Sequence, residues 1–519
     1  MRDNLKFRLP NGFNRKKFIS DLAEHFAIKK EPTVVENFTI YDTFDWRLFH
    51  KSLVFYTSGS KLFLRKLSNN KFYHSAQCAS LPVFIWDFPD GELKEHLAPV
   101  MKIRGLLKLV DVYSRSTTYR ILNRDEKTVA RLVYEDLRSS SVKNASALAK
   151  NVWLKPVEGY PKYSHKLFKQ FEKAGLSISK EEDIYFKALK LAGKKPGSYS
   201  AKVDIQLDPA MRSDEATKSI LRFLLQIMQI NAAHIYKDLD TEFLHDFRVA
   251  VRRTRSALGQ IKSVFATKTT DRFKKDFAFV GKLTNELRDL DVYLLNEDSY
   301  KAMLPPVLRD DIDPLFEYLY KKRSRALQNV IRNLKTKRYA GIIDAWEAFL
   351  NAPPQDFPDA KKAELPISDL ACKRIYKKYL SVVEGGNQIL DNAEDEMLHV
   401  LRIHCKKLRY LMEFLCSLFP PKKIKVLIQQ LKKLQGNLGD FHDLCVQEEY
   451  LLNIAREMPT NNLQTKKALV AIGCLIGTLD RERQIAKDAF TKKFTDFSSP
   501  ANRGLFQELF APQSSQDGS

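Results

Sequence analysis

The chain has 519 residues, too many for one compact core, so several domains are expected. Hydrophobic residues make up 44% and charged residues 29%, an ordinary globular balance that excludes a low-complexity chain. The imbalance is in sign: 86 Lys+Arg against 63 Asp+Glu leave a formal charge of +23, which favours nucleic acid, an anionic membrane or a phosphate polymer as partner without choosing among them.

Residues 1–10 (MRDNLKFRLP) are charged from the second position and lack the apolar core of a signal peptide. The longest strongly apolar stretch, 468–479, is too short to cross a bilayer and reads as a buried helix. Cys78, Cys372, Cys405, Cys416, Cys445 and Cys474 are scattered without a CxxC pair, the pattern of reduced packing residues. A cytoplasmic protein with no membrane span is the expectation.

Residues 1–155 read as strands and turns. LKFRL, ENFTIYDT, SLVFYTS, KLFLRKL, PVFIWDF, LKLVDVYS, TYRILNR and TVARLVYEDL are short, rich in β-branched and aromatic residues, and punctuated by Asn, Gly, Asp or Ser. A hairpin is predicted at Ser58–Gly59–Ser60, with short helices at 15–26 and 91–100. This region is α+β with an antiparallel sheet. Residues 156–212 hold short helices ending at glycines and read as a connector.

Beyond residue 213 apolar residues recur at three-to-four spacing, predicting helices at 215–237, 242–265, 271–296, 312–335 and 339–350. A Pro-rich break follows at 352–366. Helices resume at 369–390, 394–418, 422–438, 444–457 and 463–494. The all-α region therefore forms two similar bundles, about 213–351 and 368–511, before a disordered tail at 512–519.

One pattern occurs in both bundles. His245, Arg248, Arg252, Arg253 and Arg255 repeat as His399, Arg402, Lys406, Lys407 and Arg409, with offsets of three, seven, eight and ten from each histidine and 154 positions between copies. At about 100° per residue, offsets 0, 3, 7 and 10 share an arc of roughly 80° on one helix face, while offset 8 lies at about 80° on its flank. Leu244, Phe247, Val251 and Leu258 occupy the apolar side of the first copy, and Leu401, Leu408, Met412 and Leu415 that of the second. Asp246 and Glu413 are expected to project away from the stripes. Arginines one turn apart then repel by a few tenths of a kcal/mol, roughly 0.2–0.5 per pair, and a polyanion would remove that cost. Arginine suits phosphate through its two-pronged fork and lysine as a mobile point charge. No Cys, Asp or Glu sits at ligand spacing for zinc, and no nucleophile repeats with the stripe.

The helical region resembles the CHAD, or conserved-histidine α-helical, domain. The resemblance rests on EFLHDFRVAVRRTRSAL and LHVLRIHCKKLRYLMEFL, each followed by a second motif, KLTNELRDLDV and KLQGNLGDFHDLCV, in which Leu283 matches Leu434 and Asp289 matches Asp440. It implies two bundles related by a pseudo-two-fold axis, with basic faces lining a shared groove for inorganic polyphosphate. The residues carried over are the ten stripe positions. Lys282, Arg288, Lys373, Arg374, Lys377, Lys432 and Lys433 form a second tier of phosphate contacts or ordinary surface charge. Asp289 and Asp440 are expected to pin helices.

The N-terminal region resembles a CYTH, or triphosphate-tunnel, domain through LKFRL, Tyr41–Asp42–Thr43 with Leu48, LFLRK around Arg65, and the strands through Tyr119 and Glu135. This implies a β-barrel tunnel acting on phosphate compounds with Mg²⁺ or Mn²⁺ held by an ExExK motif. Here the equivalent stretch is Arg2–Asp3–Asn4–Leu5–Lys6, which keeps the lysine but neither glutamate. The tunnel is therefore read as degenerate. It either retains a basic interior (Lys6, Arg8, Arg65, Arg120) that binds phosphate without turnover or serves only as a scaffold, with no metal unless it is active.

Polyphosphate binding, with targeting to polyphosphate granules or sensing of the polymer, is the leading expectation. A metal-dependent triphosphatase or polyphosphatase is the second, and RNA or DNA binding the third. The stripes lack interleaved aromatics for base stacking, which argues against nucleic acid.

Overall fold

The computed structural model describes the chain apart from residues 1–4, 11, 68–71, 140–145, 179–183, 355–356, 392–393, 459–461 and 512–519. Two units emerge, Met1–Ser200 and Ala201–Ser519. The expected disordered tail and the first three residues of the Arg2–Lys6 stretch lie outside the described residues.

Among the described residues the first unit is built on eight strands: β1 (Leu5–Arg8), β2 (Ala27–Thr43), β3 (Leu53–Ser58), β4 (Lys61–Lys66), β5 (Phe72–Gln77), β6 (Leu106–Leu122), β7 (Thr128–Ser139) and β8 (Ser146–Pro156). All pair antiparallel in the order β1-β8-β7-β6-β2-β3-β4-β5. The ladder between β2 and β6 shifts register between Lys30 and Thr33, where Pro32 has no N–H to donate. Among the described residues no pairing joins β1 to β5, so the expected barrel is an open sheet with two edges.

LKLVDVYS and TYRILNR belong to one strand, β6, because the polar residues between them pair with β2 and β7 along their length. PVFIWDF is no strand. The Asp87 carboxylate accepts from Val83 N and Phe84 N at 3.1 and 2.8 Å and turns the chain. β5 and β8 were not anticipated.

Helices cover the sheet: α1 (Arg15–Ala23), α2 (Arg47–His50), α3 (Glu92–Met101), α4 (Pro161–Lys173) and α5 (Ile184–Leu191). The predicted connector does not stand apart. Leu167 and Phe171 of α4 pack with Phe7 and Leu154, and Tyr185 and Leu189 of α5 pack with Val112 and Leu137. Buried Asp42 accepts from the backbone N–H groups of Thr43, Leu48 and Phe49, fixing the turn into α2. Burial still raises its carboxyl to about 7.

The second unit is helical: α6 (Ser213–Ile235), α7 (Glu242–Gln260), α8 (Thr267–Leu283), α9 (Asn285–Leu295), α10 (Glu297–Met303), α11 (Asp313–Leu334), α12 (Lys337–Asn351), α13 (Ile367–Asp391), α14 (Asp395–Phe414), α15 (Pro421–Glu457), α16 (Leu463–Asp488), α17 (Phe490–Phe497) and α18 (Pro500–Phe510). The predicted helix at 271–296 breaks at Thr284 into α8 and α9. The predicted break between 438 and 444 is absent: Leu434, Leu438 and Phe441 keep one buried face running through α15.

The repeat is visible in hydrogen bonds. Ser213 N donates to Leu365 O and Ile367 N to Met211 O, each at 2.9 Å. Asp214 N donates to Ala363 O and Ser368 N to Pro209 O. In both pairs of bonds the second is the first with its residues exchanged for those 154 positions away, so a local two-fold axis passes between the starts of α6 and α13. Each bundle follows the same course, with α6, α7 and α8 answered by α13, α14 and the first part of α15.

Candidate functional site

Leu244, Phe247, Val251 and Leu258 on α7 and Leu401, Leu408, Met412 and Leu415 on or just after α14 are all buried. That burial rotates the basic stripes out of the bundles. α7 and α14 also meet directly. Arg253 Nη2 lies 2.8 Å from Glu413 Oε2, its Nη1 donates to Ala201 O at 3.0 Å, and its guanidinium lies over the Tyr410 ring at 5.8 Å.

Glu413 corrects the expectation that no carboxylate lies on the stripe. At fourteen residues from His399 it returns to about 320° on the helical wheel, inside the basic arc. It neutralises Arg253 and approaches Arg409 Nε and Lys432 Nζ at 3.7 Å each. Arg253 is therefore the tie between the helices rather than part of an open basic face.

Arg248, Arg252 and Arg255 converge with Lys282 on a pocket of 260 Å³ floored by Val251, Ala278 and Gly281. Arg248 is pinned there: its Nη1 donates to Thr284 Oγ1 at 2.9 Å and Asn285 Oδ1 at 2.8 Å, the polar groups freed where α8 gives way to α9. Burial, with Arg252 and Arg288 nearby, lowers its pKa against the pull of Asp289. Arg288 shows the same effect, and its Nη1 is buried without a hydrogen-bond partner.

The second stripe faces the first. Burial pushes the Lys406 amine down to about 8, and Arg402, Arg252 and Arg409 add to the depression while Asp443 opposes it. Arg252 likewise acts on Arg402, whose Nη2 donates to Asp443 Oδ1 at 2.7 Å. The Nε atoms of Arg402 and Arg409 are buried without a hydrogen-bond acceptor. Among the described residues Arg252, Arg255, Lys282 and Lys406 form no ion pair.

His399 stands one turn before Arg402, with its Nδ1 3.0 Å from Nδ1 of His442, so one ring donates and the other accepts. Burial, Arg402, His399 and Lys406 push His442 down to about 4. Sequence reasoning missed His442, although GDFHD is part of the second motif and places it beside His399. His245 is half-buried. Lys407 does not join the stripe: with Lys373, Arg374 and Lys377 it lies toward α13. Lys433 is exposed.

In the first unit, a cleft of 940 Å³ on one face of the sheet is lined by Lys6, Lys61, Arg65 and Lys155, with Glu36 and Glu135. Lys6 sits over the Trp153 ring at 5.7 Å, and Trp153 Nε1 donates to Glu135 Oε2 at 3.1 Å. Arg8 is exposed and Arg120 donates to Thr128 Oγ1, so neither lines the cleft. Lys61 and Lys155 were missed, though strand alternation puts Lys155 on the face of Trp153. Among the described residues no three His, Cys, Asp or Glu side chains are grouped to hold a metal ion, and Glu36 with the engaged Glu135 does not fit a divalent-metal site. No described helix is long and apolar enough to cross a membrane. All six cysteines are unpaired.

Residues 219–452 match the family model of the CHAD domain, and this part of the helical unit is a CHAD domain. Two Mycobacterium tuberculosis proteins, the uncharacterized proteins MT2285 and Rv2226, are each 25% identical over 217 residues, 41% of this chain and 40% of theirs. The chain thus spans well under half the length of these relatives. Among solved structures, the CHAD domain from the plant Ricinus communis is similar at 22% identity, covering 56% of this chain and 95% of that one with a TM-score of 0.48. PptA from Streptomyces chartreusis matches at 17% identity over 55% of this chain and 100% of its own, with a TM-score of 0.42. HpAC1 from Hippeastrum, described as having a dominant triphosphatase activity, matches at 12% identity over 38% of this chain and 99% of its own, with a TM-score of 0.26.

Proposed function

We propose that the helical unit binds inorganic polyphosphate in the groove where the two basic stripes meet. The observation that carries this reading is the set of cations that form no ion pair among the described residues, Arg252, Arg255, Lys282 and Lys406, contributed by both repeats, with Lys406 depressed by burial and then by Arg402 and Arg252. Such a set is costly alone and favourable around a phosphate chain, whose charges replace the missing carboxylates. Arg248, Arg288, Arg402 and Arg409 supply further donors, and His399 lies at the edge. The CHAD match and the sequence resemblance support the same ligand. Targeting to polyphosphate granules, or sensing of the polymer, would follow from binding alone.

RNA is the competing polyanion. Among the described residues no aromatic side chain lines the Arg248–Lys282 pocket, so base stacking has no platform there. Both ligands would show salt-dependent affinity, so competition decides. Unlabelled polyphosphate should displace labelled polyphosphate, and excess RNA should not; equal displacement by RNA would sink the reading. Arg252→Glu with Lys406→Glu should abolish most binding while helicity is kept.

For the first unit we infer retention of a phosphate compound by Lys6, Lys61, Arg65 and Lys155 without turnover. Phosphate release from tripolyphosphate that depends on Mg²⁺ or Mn²⁺ would overturn that inference in favour of a triphosphatase.

A further inference from the structure

The groove leaves a second group of cations in the helical unit unexplained. On α14, Lys407 and His404 stand about 80° and 140° from His399, across the helix from the stripe. This flank packs on α13: His404 Nδ1 lies 3.4 Å from Ser381 O, and burial, with Lys407, Lys377 and Lys262 close by, lowers the Lys378 amine. Two more segments reach the same place. Arg374 of α13 donates to Lys262 O at 3.0 Å, and Lys362 N donates to Ser263 O at 2.8 Å.

Lys262, Lys362, Lys373, Lys377, Lys378 and Lys407 therefore gather from four stretches of chain. Among the described residues none of the six forms an ion pair. Arg374 Nε is buried without a hydrogen-bond partner. Burial and the neighbouring cations lower Lys362 and Lys378, as expected for like charges held together.

The internal two-fold shows that this is not the groove seen twice. Counting back 154 positions, Lys373, Lys377 and Lys378 correspond to Ser219, Phe223 and Leu224, which carry no charge. Lys407 corresponds to Arg253, which Glu413 neutralises. The position equivalent to Glu413 is Gly259, so Lys407 has no symmetry-related carboxylate. Among the described residues the α13 lysines therefore have no charged counterpart on α6.

We propose that the α13–α14 flank is a second anchoring surface for the same phosphate polymer, engaged by a chain long enough to reach it from the groove. This rests on the polyphosphate reading of the groove. Lysine suits the task, since flexible ammonium groups hold an irregular chain without demanding bidentate geometry. A helix with its side chains is about 10–12 Å across, so a tripolyphosphate occupies the groove alone while a long polymer engages both surfaces.

The test uses the full chain, titrated with tripolyphosphate and with a polyphosphate of about one hundred units at several salt concentrations. Lys373→Glu, Lys377→Glu and Lys407→Glu together should weaken long-polymer binding by at least about tenfold, make its salt dependence shallower, and leave tripolyphosphate binding unchanged. All three lysines are exposed, so the unfolding midpoint should stay put, and a triple Lys→Gln variant should show a smaller loss in the same direction. Unchanged long-polymer affinity, or equal loss for both lengths, overturns the second surface while the groove stands. Arg252→Glu with Lys406→Glu should lose both lengths. If the wild-type chain binds neither polymer, the groove reading fails and this one falls with it.

Discussion

Arg252 and Lys406 occupy equivalent positions in the two repeats, 154 residues apart, and Arg252 adds to the burial that holds the Lys406 amine at about 8. Two cations related by a two-fold axis are forced toward one another wherever the axis runs through a basic face. The backbone hydrogen bonds that link residues 209–214 to 363–368 exchange under the same shift of 154 positions. The fold thus concentrates like charge at a place where α7 and α14 each could have pointed it into solvent.

Lys406 should make anion binding proton-linked. Its folded pKa is depressed to about 8, and a bound phosphate favours the ammonium. Between about pH 8 and 10, polyphosphate binding should take up a proton, measurable by calorimetry in buffers of different ionisation enthalpy. Lys406→Arg, charged throughout this range, should abolish the uptake and keep the affinity. Without ligand the sign runs the other way: the unfolded chain holds this proton up to about 10.5, so stability rises with pH from about 8 upward.

The Arg253–Glu413 pair should act on stability. Its side chains are only 13% and 16% exposed, and breaking one partner of a buried pair costs about 3–5 kcal/mol. Glu413→Gln or Arg253→Met should lower the denaturant midpoint of the helical unit. Their combination with an apolar residue at 413 should restore part of the loss, as a double-mutant cycle would register. Equal midpoints for wild type and both single variants would refute this.

Gly386, inside α13, is required by packing. A methyl group there would overlap the Phe494 ring of α17. Gly386→Ala should therefore destabilise by about 1–3 kcal/mol although alanine is the better helix former. A neutral or stabilising result in chemical denaturation would contradict the close approach. Phe494→Leu should partly rescue the variant.

Burial of His442, with Arg402, His399 and Lys406 around it, should make the helical unit acid-sensitive. His442 is held near 4, so between about pH 6.5 and 4 the unfolded state binds a proton that the folded state refuses. Stability contributed by the neutral ring is present above pH 6.5 and is lost as the pH falls through this window. His442→Asn should flatten that part of the stability profile, and an unaltered profile would rule His442 out as its source.

Periodicity and internal repetition made much of this architecture readable in advance, because both are local. The apolar arcs of α7 and α14, the order of helices and the two copies of the stripe follow from 3.6-residue geometry. The run of β-branched and aromatic segments likewise announced the antiparallel sheet. The chain order of strands did not announce that β1 and β5 remain edges, since closure depends on curvature accumulated over the whole sheet.

By itself the sequence determined that two equivalent helices would each be apolar on one side and cationic on the other, since these properties depend only on residue spacing. Tertiary structure decided where those cations went. Arg253 and Lys407 share an offset, yet one meets Glu413 across the helix contact and the other meets the lysines of α13. A helical wheel gives a side chain its direction about one axis, but its partner is set by the packing of a second helix hundreds of residues away or less, and that packing is a long-range property of the fold.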